Sequence, residues 1–180
     1  MTARPARTDI LVRPLTADDA VPLYQSVRDS LDSLSYWFPW CHAGYSRSDA
    51  ADWIAHCLQS WDRRTGFPLG IFNDQGHLLG CTGLRRVDRD VDVGNLGYWV
   101  GAPHRGKDVA STAALLAARM GFAQLGFHRI EIAVLAHNLA SQRVAEKLGA
   151  MRTAGTCDWL VFRGKPASTI VYSLVPGDIG

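Results

Sequence analysis

Over residues 129–135 every second position is aliphatic, with Ile130, Ile132 and Val134 on one face, which predicts a half-buried strand. A first strand is predicted earlier, over Ile10 to Pro14. Thr16 with Asp19 three residues on then reads as a capping box. Leu23, Val27, Leu31 and Leu34 follow at helical spacing, and Pro22 fits only the first turns of such a helix. Leu34 to Tyr45 reads as a loop rich in aromatics: Tyr36, Trp37, Phe38, Trp40 and Tyr45. A second helix starts near Ser48 and runs through Trp53, Ile54, Cys57, Leu58 and Trp61.

Leu69 to Phe72 and Leu78 to Leu84 form a predicted hairpin around Asn73-Asp74-Gln75-Gly76. Asp88-Arg89-Asp90 marks a further turn, and Asn95 to Val100 the next strand, which Pro103 helps to end. From Val109 a helix carries the stripe Val109, Ala113, Leu116, Met120 and Ala123, and Gly126 closes it. Its many small residues would let it lie close to a sheet. After the 129–135 strand, Ala140, Val144 and Leu148 stripe another helix, capped by Gly149. Residues 151–162 and 168–174 complete a hairpin across Arg163-Gly164-Lys165-Pro166. The order is β-α-α-β-β-β-α-β-α-β-β in one mixed sheet.

Composition narrows the function without naming it. A length of 180 residues, without repeats or linker, predicts one domain over 1–180 with a sizeable core. A net charge of +2 argues for neither nucleic acid nor membrane as partner. No apolar run approaches a membrane span, and the N-terminus lacks the apolar stretch of a signal peptide. Cys41, Cys57, Cys81 and Cys157 are scattered, which predicts reduced thiols in a cytoplasmic protein, with no disulfide framework or zinc site. The six histidines show no ligand spacing, so no metal is expected.

Two segments carry candidate chemistry. Arg105-Gly106-Lys107-Asp108-Val109-Ala110-Ser111 passes from a strand end into a helix start, where free N–H groups and the helix dipole favour phosphate. Alternatively it is an ordinary loop with solvated charges. Asn138-Leu139-Ala140-Ser141 opens the next helix; Asn138 and Ser141 are either plain helix-start residues or ligand contacts.

Together with Gly97-Tyr98-Trp99-Val100 and Pro103, these segments and Arg143-Val144-Ala145-Glu146-Lys147-Leu148-Gly149 resemble the GNAT superfamily of acyl-CoA-dependent N-acyltransferases. The likeness spans roughly Ile10 to Leu174, and the closest subgroup is the Rim-type N-terminal acetyltransferases of ribosomal proteins. It implies an α/β (α+β) fold: a mixed, mainly antiparallel sheet with a splayed strand pair and flanking helices. It implies acetyl-CoA as cosubstrate. Backbone N–H groups of Arg105, Gly106, Lys107, Asp108, Val109 and Ala110, with Ser111, would hold the pyrophosphate. Trp99 and Val100 would flank the pantetheine, with an N–H near Val100 polarising the thioester carbonyl. Asn138 would bond the pantetheine arm, and Ser141 would give a proton to the departing thiolate. Tyr36, Trp37 and Trp40 would form a wall of the acceptor pocket. Attack is direct, with no cysteine as nucleophile. The acceptor is a primary amine, such as a protein N-terminus. The alternatives are a small-molecule amine (antibiotic, polyamine or amino acid), or a catalytically weak CoA-binding regulatory domain. A homodimer is suggested by the resemblance alone.

Two positions depart from the family pattern. Asp108 stands where Gly is usual, and it either repels the pyrophosphate or caps the helix and points away. Asn95 stands where a Glu base is frequent, which leaves Asp92, His42, His104 and Asp158 as candidate bases.

Overall fold

The computed structural model describes residues 9–88, 92–153 and 157–179. Eight strands form one sheet in the order β1-β2-β3-β4-β5-β8-β6, with β7 also paired to β8. They are β1 Leu11–Arg13, β2 Gly66–Phe72, β3 Leu78–Asp88, β4 Val93–Val100, β5 Arg129–Leu135, β6 Met151–Arg152, β7 Cys157–Phe162 and β8 Lys165–Leu174. All pairings are antiparallel except β4 with β5. The α-helices among the described residues are α1 Ala20–Arg28, α2 Leu31–Trp37, α3 Arg47–Asp62, α4 Val109–Gln124 and α5 Leu139–Lys147. The expected mixed sheet with flanking helices is therefore present. Of the turn expected at 88–90, Asp88 ends β3, and residues 89 and 90 lie outside the described residues.

The expected first helix is two. Ser30 leaves the helical region (φ −119°, ψ 12°), and its buried hydroxyl accepts the N–H of Ala102 at 2.9 Å. That contact breaks the helix, and α2 then takes Leu34 to Trp37 out of the expected aromatic loop. Ser46 and Asp49 close a reciprocal cap on α3, so this helix starts slightly before Ser48. In the last hairpin Pro166 belongs to β8, and the turn is Arg163-Gly164 alone. Both residues are left-handed (φ 51° and 77°), the form that matches strand twist in a two-residue hairpin.

The buried face of α4 also differs from the expected stripe. It is Val109, Ala113, Ala114, Ala117, Ala118 and Gly121; Leu116 and Met120 are only half-buried, and Ala123 is exposed. Small residues face the sheet because the helix lies almost on it. A Cβ at Gly121 would come within 2.7 Å of Leu84 Cδ1. One core layer joins α4, α5 and the sheet around Leu84, Leu96, Ile130 and Leu148. Another joins α1, α2 and α3 to the opposite face around Leu23, Leu34, Ile54 and Phe72.

The break that matters lies between β4 and β5. They pair only at Val93↔Arg129, Gly94↔Ile130 and Asn95↔Glu131. Beyond Asn95, β4 stays with β3 as far as Gly80↔Val100, while β5 stays with β8 as far as Leu135↔Thr169. The strands thus part into a V, as the family resemblance implied.

Candidate active site

The V is the centre of a groove of about 660 Å³, lined by Leu96–Val100 on one side and Ile132–Leu135 on the other. One end is closed by the loop before α4 and the outer face of α5; the other reaches Trp37, Leu160 and Val161. Of the residues singled out from sequence, Trp99, Val100, Arg105, Gly106, Asp108, Val109, Ala110, Ser111, Asn138, Ser141 and Trp37 line it. Lys107 does not. Trp40 lines a second cavity on the far side of β4. Tyr36 lines neither; it packs edge-on against Trp37 at 4.7 Å, under the guanidinium of Arg163.

The α4 loop is built to present backbone N–H groups. Gly106 and Asp108 are both left-handed (φ 71° and 60°), which turns successive amides toward the groove end where α4 begins. Arg105 keeps its charge, but its side chain is tethered. Its side chain folds back to the Val100 carbonyl at 3.2 Å and to Ser33 Oγ at 2.8 Å, tying the loop to β4 and α2. Ser111 Oγ donates to the Asp108 carbonyl at 3.0 Å. Asp108 occupies the N-cap position without a side-chain capping bond, so the expected cap is absent. Its carboxylate instead pairs with Lys147 of α5.

Further positive charge at this end comes from α5, whose basic residues the sequence alone left unassigned. Arg143 and Lys147 both line the groove; they are four residues apart and share one helix face with the exposed Ala140. The buried side of α5 is Ala145 and Leu148, with Val144 half-buried, a narrower stripe than expected. The signal was present in the Ser141-x-Arg143-x-x-x-Lys147 spacing.

At the middle of the groove, Asn138 Oδ1 caps α5 by accepting the N–H of Ser141 at 3.1 Å. Asn138 thus acts as a helix cap through its oxygen, and its amide nitrogen has no hydrogen-bond partner among the described residues. Ser141 Oγ lies 3.1 Å from Tyr98 Oη, which also donates to the Ser141 carbonyl at 2.9 Å. A phenol has one proton. With that proton on the Ser141 carbonyl, the Ser141 hydroxyl must donate to Tyr98. Burial pushes Tyr98 up to about 12, against the Ser141 hydrogen bond, so it stays protonated at neutral pH. Sequence reading quoted Tyr98 but gave it no role.

The candidate bases fare poorly. Asp92 pairs with Arg86. His42 packs against Tyr45 and lines neither cavity. The side chain of Asp158 lies outside the described residues. His104 lines the groove, and burial, then the charge of Lys107, lowers its pKa. It stands in the short turn before the α4 loop. Cys41, Cys57 and Cys81 are buried free thiols, each raised by burial, Cys57 to about 12, which suits none of them as a nucleophile.

A family model described as an acetyltransferase (GNAT) domain matches residues 9–151. The chain belongs to the GNAT family. As a GNAT protein it is an acyl-CoA-dependent N-acetyltransferase. YdaF of Bacillus subtilis (strain 168), a protein provisionally named a ribosomal N-acetyltransferase, is 24% identical over 170 residues, covering 92% of this chain and 91% of its own. A Vibrio cholerae structure, provisionally a ribosomal-protein-serine acetyltransferase, superposes with a TM-score of 0.77 at 26% identity, covering 93% and 94% of the two chains. The microcin C7 self-immunity acetyltransferase MccE, solved with acetyl-CoA and AMP, shares the fold with a TM-score of 0.84 at 19% identity, covering 93% and 92%. Among the described residues of this GNAT chain, no helix is long and apolar enough to cross a membrane.

Proposed function

We propose that residues 1–180 form one acyltransferase domain that moves an acetyl group from acetyl-CoA to a primary amine, with a protein N-terminal α-amine the acceptor the site suits best. The supporting observation is the groove itself. It has amides and two basic side chains at one end, an apolar V in the middle, and a hydroxyl pair on one wall. These residues fit a pyrophosphate, a pantetheine arm and a thioester in that order. Acetyl-CoA, when bound, supplies the activated acyl carbon. Amides of the α4 loop and Lys147 bind the diphosphate, and Asn138 hydrogen-bonds the arm.

The amine nitrogen forms a bond to the acyl carbon while the carbon–sulfur bond breaks. One amine proton is lost to water, and the thiolate takes one from Ser141 Oγ, whose hydroxyl turns from Tyr98 toward the sulfur and is replenished from solvent. Tyr98 holds the Ser141 hydroxyl in place. An N–H near Val100 carries the developing oxyanion charge.

Names of relatives support a ribosomal-protein acceptor, and so does the chemistry of Asn95, which cannot take a proton. An α-amine with a pKa near 8 is about 10% neutral at pH 7, whereas a lysine side chain near 10.4 needs about 4.6 kcal/mol to reach its neutral form. Release of CoA thiol with a panel of α-amine peptides, lysine peptides and small amines tests this reading. Preference for α-amines is expected; a steady preference for lysine side chains refutes it. Acetyl-CoA binding without turnover of any amine points to a regulatory domain instead.

A further inference from the structure

Beyond the cosubstrate groove lies the second cavity, of about 880 Å³, between α3 and the faces of β3 and β4. Phe38, Gly97, Tyr98 and Trp99 line both hollows, so the two meet along the part of β4 that has left β5. Its floor is unusual for the middle of a sheet. Gly97 pairs in register with Gly83, yet it is exposed, and a Cβ placed on it would meet no heavy atom within 4 Å. Asn95, Gly97 and Trp99 alternate onto this face, so a side chain at 97 would fill the second cavity.

The walls are mainly apolar. Trp40 and Trp53 flank the space and are 43% and 45% exposed, unusual for tryptophan unless something is to cover it. The polar groups are spread out. Asp49 is committed to the Ser46 cap, and His56 stacks on Trp53 near Ser60. Asp52 on α3 and Arg85 on β3 face the space from different walls. No single charge dominates, so selection falls to shape and apolar contact. A seryl or alanyl terminus would leave most of this volume unfilled.

We propose that the second cavity receives the amine-bearing end of the acceptor and selects acceptors with a large apolar or aromatic group next to the amine. Gly97 leaves the space, and Trp40 and Trp53 flank that group. This rests on the amine-acetyltransferase reading above. The test uses the full chain, acetyl-CoA and peptides of one sequence that differ only at the first residue: Trp, Phe, Leu, Ala, Ser or Gly. Trp, Phe and Leu peptides should exceed Ser in kcat/KM by about tenfold or more. Gly97→Val should erase that preference, whereas Trp53→Ala, which lines the second cavity and not the cosubstrate groove, should leave the acetyl-CoA Kd by calorimetry within about twofold. Trp53→Ala, at an exposed position, should cost the aromatic peptides about fivefold and the Ser peptide little. If Gly97→Val melts early, Gly97→Ala replaces it, with the same direction and a smaller loss. Equal or better turnover of Ser and Ala peptides by the unaltered chain overturns size selection and leaves the acetyltransferase reading intact. A Gly97→Val chain that keeps its preference also overturns it. Acetyl-CoA binding with no turnover of any peptide overturns both.

Discussion

Asp108 is the residue whose replacement tells most about the cosubstrate site. It holds φ 60° at the start of α4, a conformation that costs an L-residue about 1–2 kcal/mol, Asp less than most. Its carboxylate pairs with Lys147 at an exposed position, worth about 0–1 kcal/mol. Asp108→Gly relieves the strain, loses the pair and adds unfolded-state entropy of about 0.5–1 kcal/mol, so stability should shift by less than about 1 kcal/mol. Binding should change more. A carboxylate some 4 Å from a diphosphate oxygen costs about 1 kcal/mol in water. Its removal also frees Lys147, adding a second contribution of similar size. Together these predict a Kd for CoA lower by about 5- to 30-fold. Calorimetric titration at low salt measures it, and at high salt the gain should shrink. Asp108→Asn separates charge from backbone, because Asn tolerates the left-handed region while carrying no charge. It should recover most of the gain. If neither variant tightens binding, or if Gly does and Asn does not, the charge argument is wrong.

The remaining predictions concern the hydroxyl pair and the fold. Ser141→Ala should lower kcat with little change in the KM for acetyl-CoA; an unaltered kcat in steady-state assays removes Ser141 as acid. Tyr98→Phe deletes both hydrogen bonds to Ser141 and should lower kcat about tenfold, with a stability loss of about 1 kcal/mol by urea denaturation. Asp19, nearly buried, accepts two hydrogen bonds from Arg13 and one from the Thr16 N–H, and Arg13 holds its carboxyl below the usual range. Its stabilisation is therefore full above the unfolded pKa of about 3.9 and is lost as pH falls through the lower folded value. Asp19→Asn should cost about 2–3 kcal/mol at pH 7 and progressively less in urea melts at lower acid pH.

Much of this architecture was legible because it is local. The capping box at Thr16, the alternation at 129–135 and the Gly126 and Gly149 stops each depend on a few neighbouring residues. The splay and the groove could be placed only through the family pattern, since no local spacing says where β4 leaves β5. What escaped reading is non-local. Ser30 breaks a well-patterned helix for a partner at Ala102. The face of α4 is set by how near it lies to the sheet, so alanines are buried where Leu116 was expected. Tyr98 becomes interesting only once β4 and α5 bring it to Ser141. Asp108 was identified as an anomaly, but its tie to Lys147 spans two helices.

Asn95 has a structural reason to be an amide, and that reason shapes the pH dependence of the reaction. It belongs to the last pair before β4 and β5 part, opposite Glu131. Its Nδ2 donates to the Glu131 carbonyl at 3.3 Å, a bond that helps to hold the apex of the V. A carboxylate at this place would set two acceptors against each other. The amide thus favours the geometry of the groove and gives up the proton-accepting role that an acid here would have. Without a base at this position, the neutral amine must come from solution. The slope of log kcat/KM against pH should then be about 1 up to the acceptor's own pKa, near 8 for an α-amine, and flat above it. Peptides whose N-terminal pKa values differ should move the bend with them. A bend that stays in one place whatever the peptide would mean that a group of the protein takes the proton; His56, in the wall of the second cavity, would then be the group to replace.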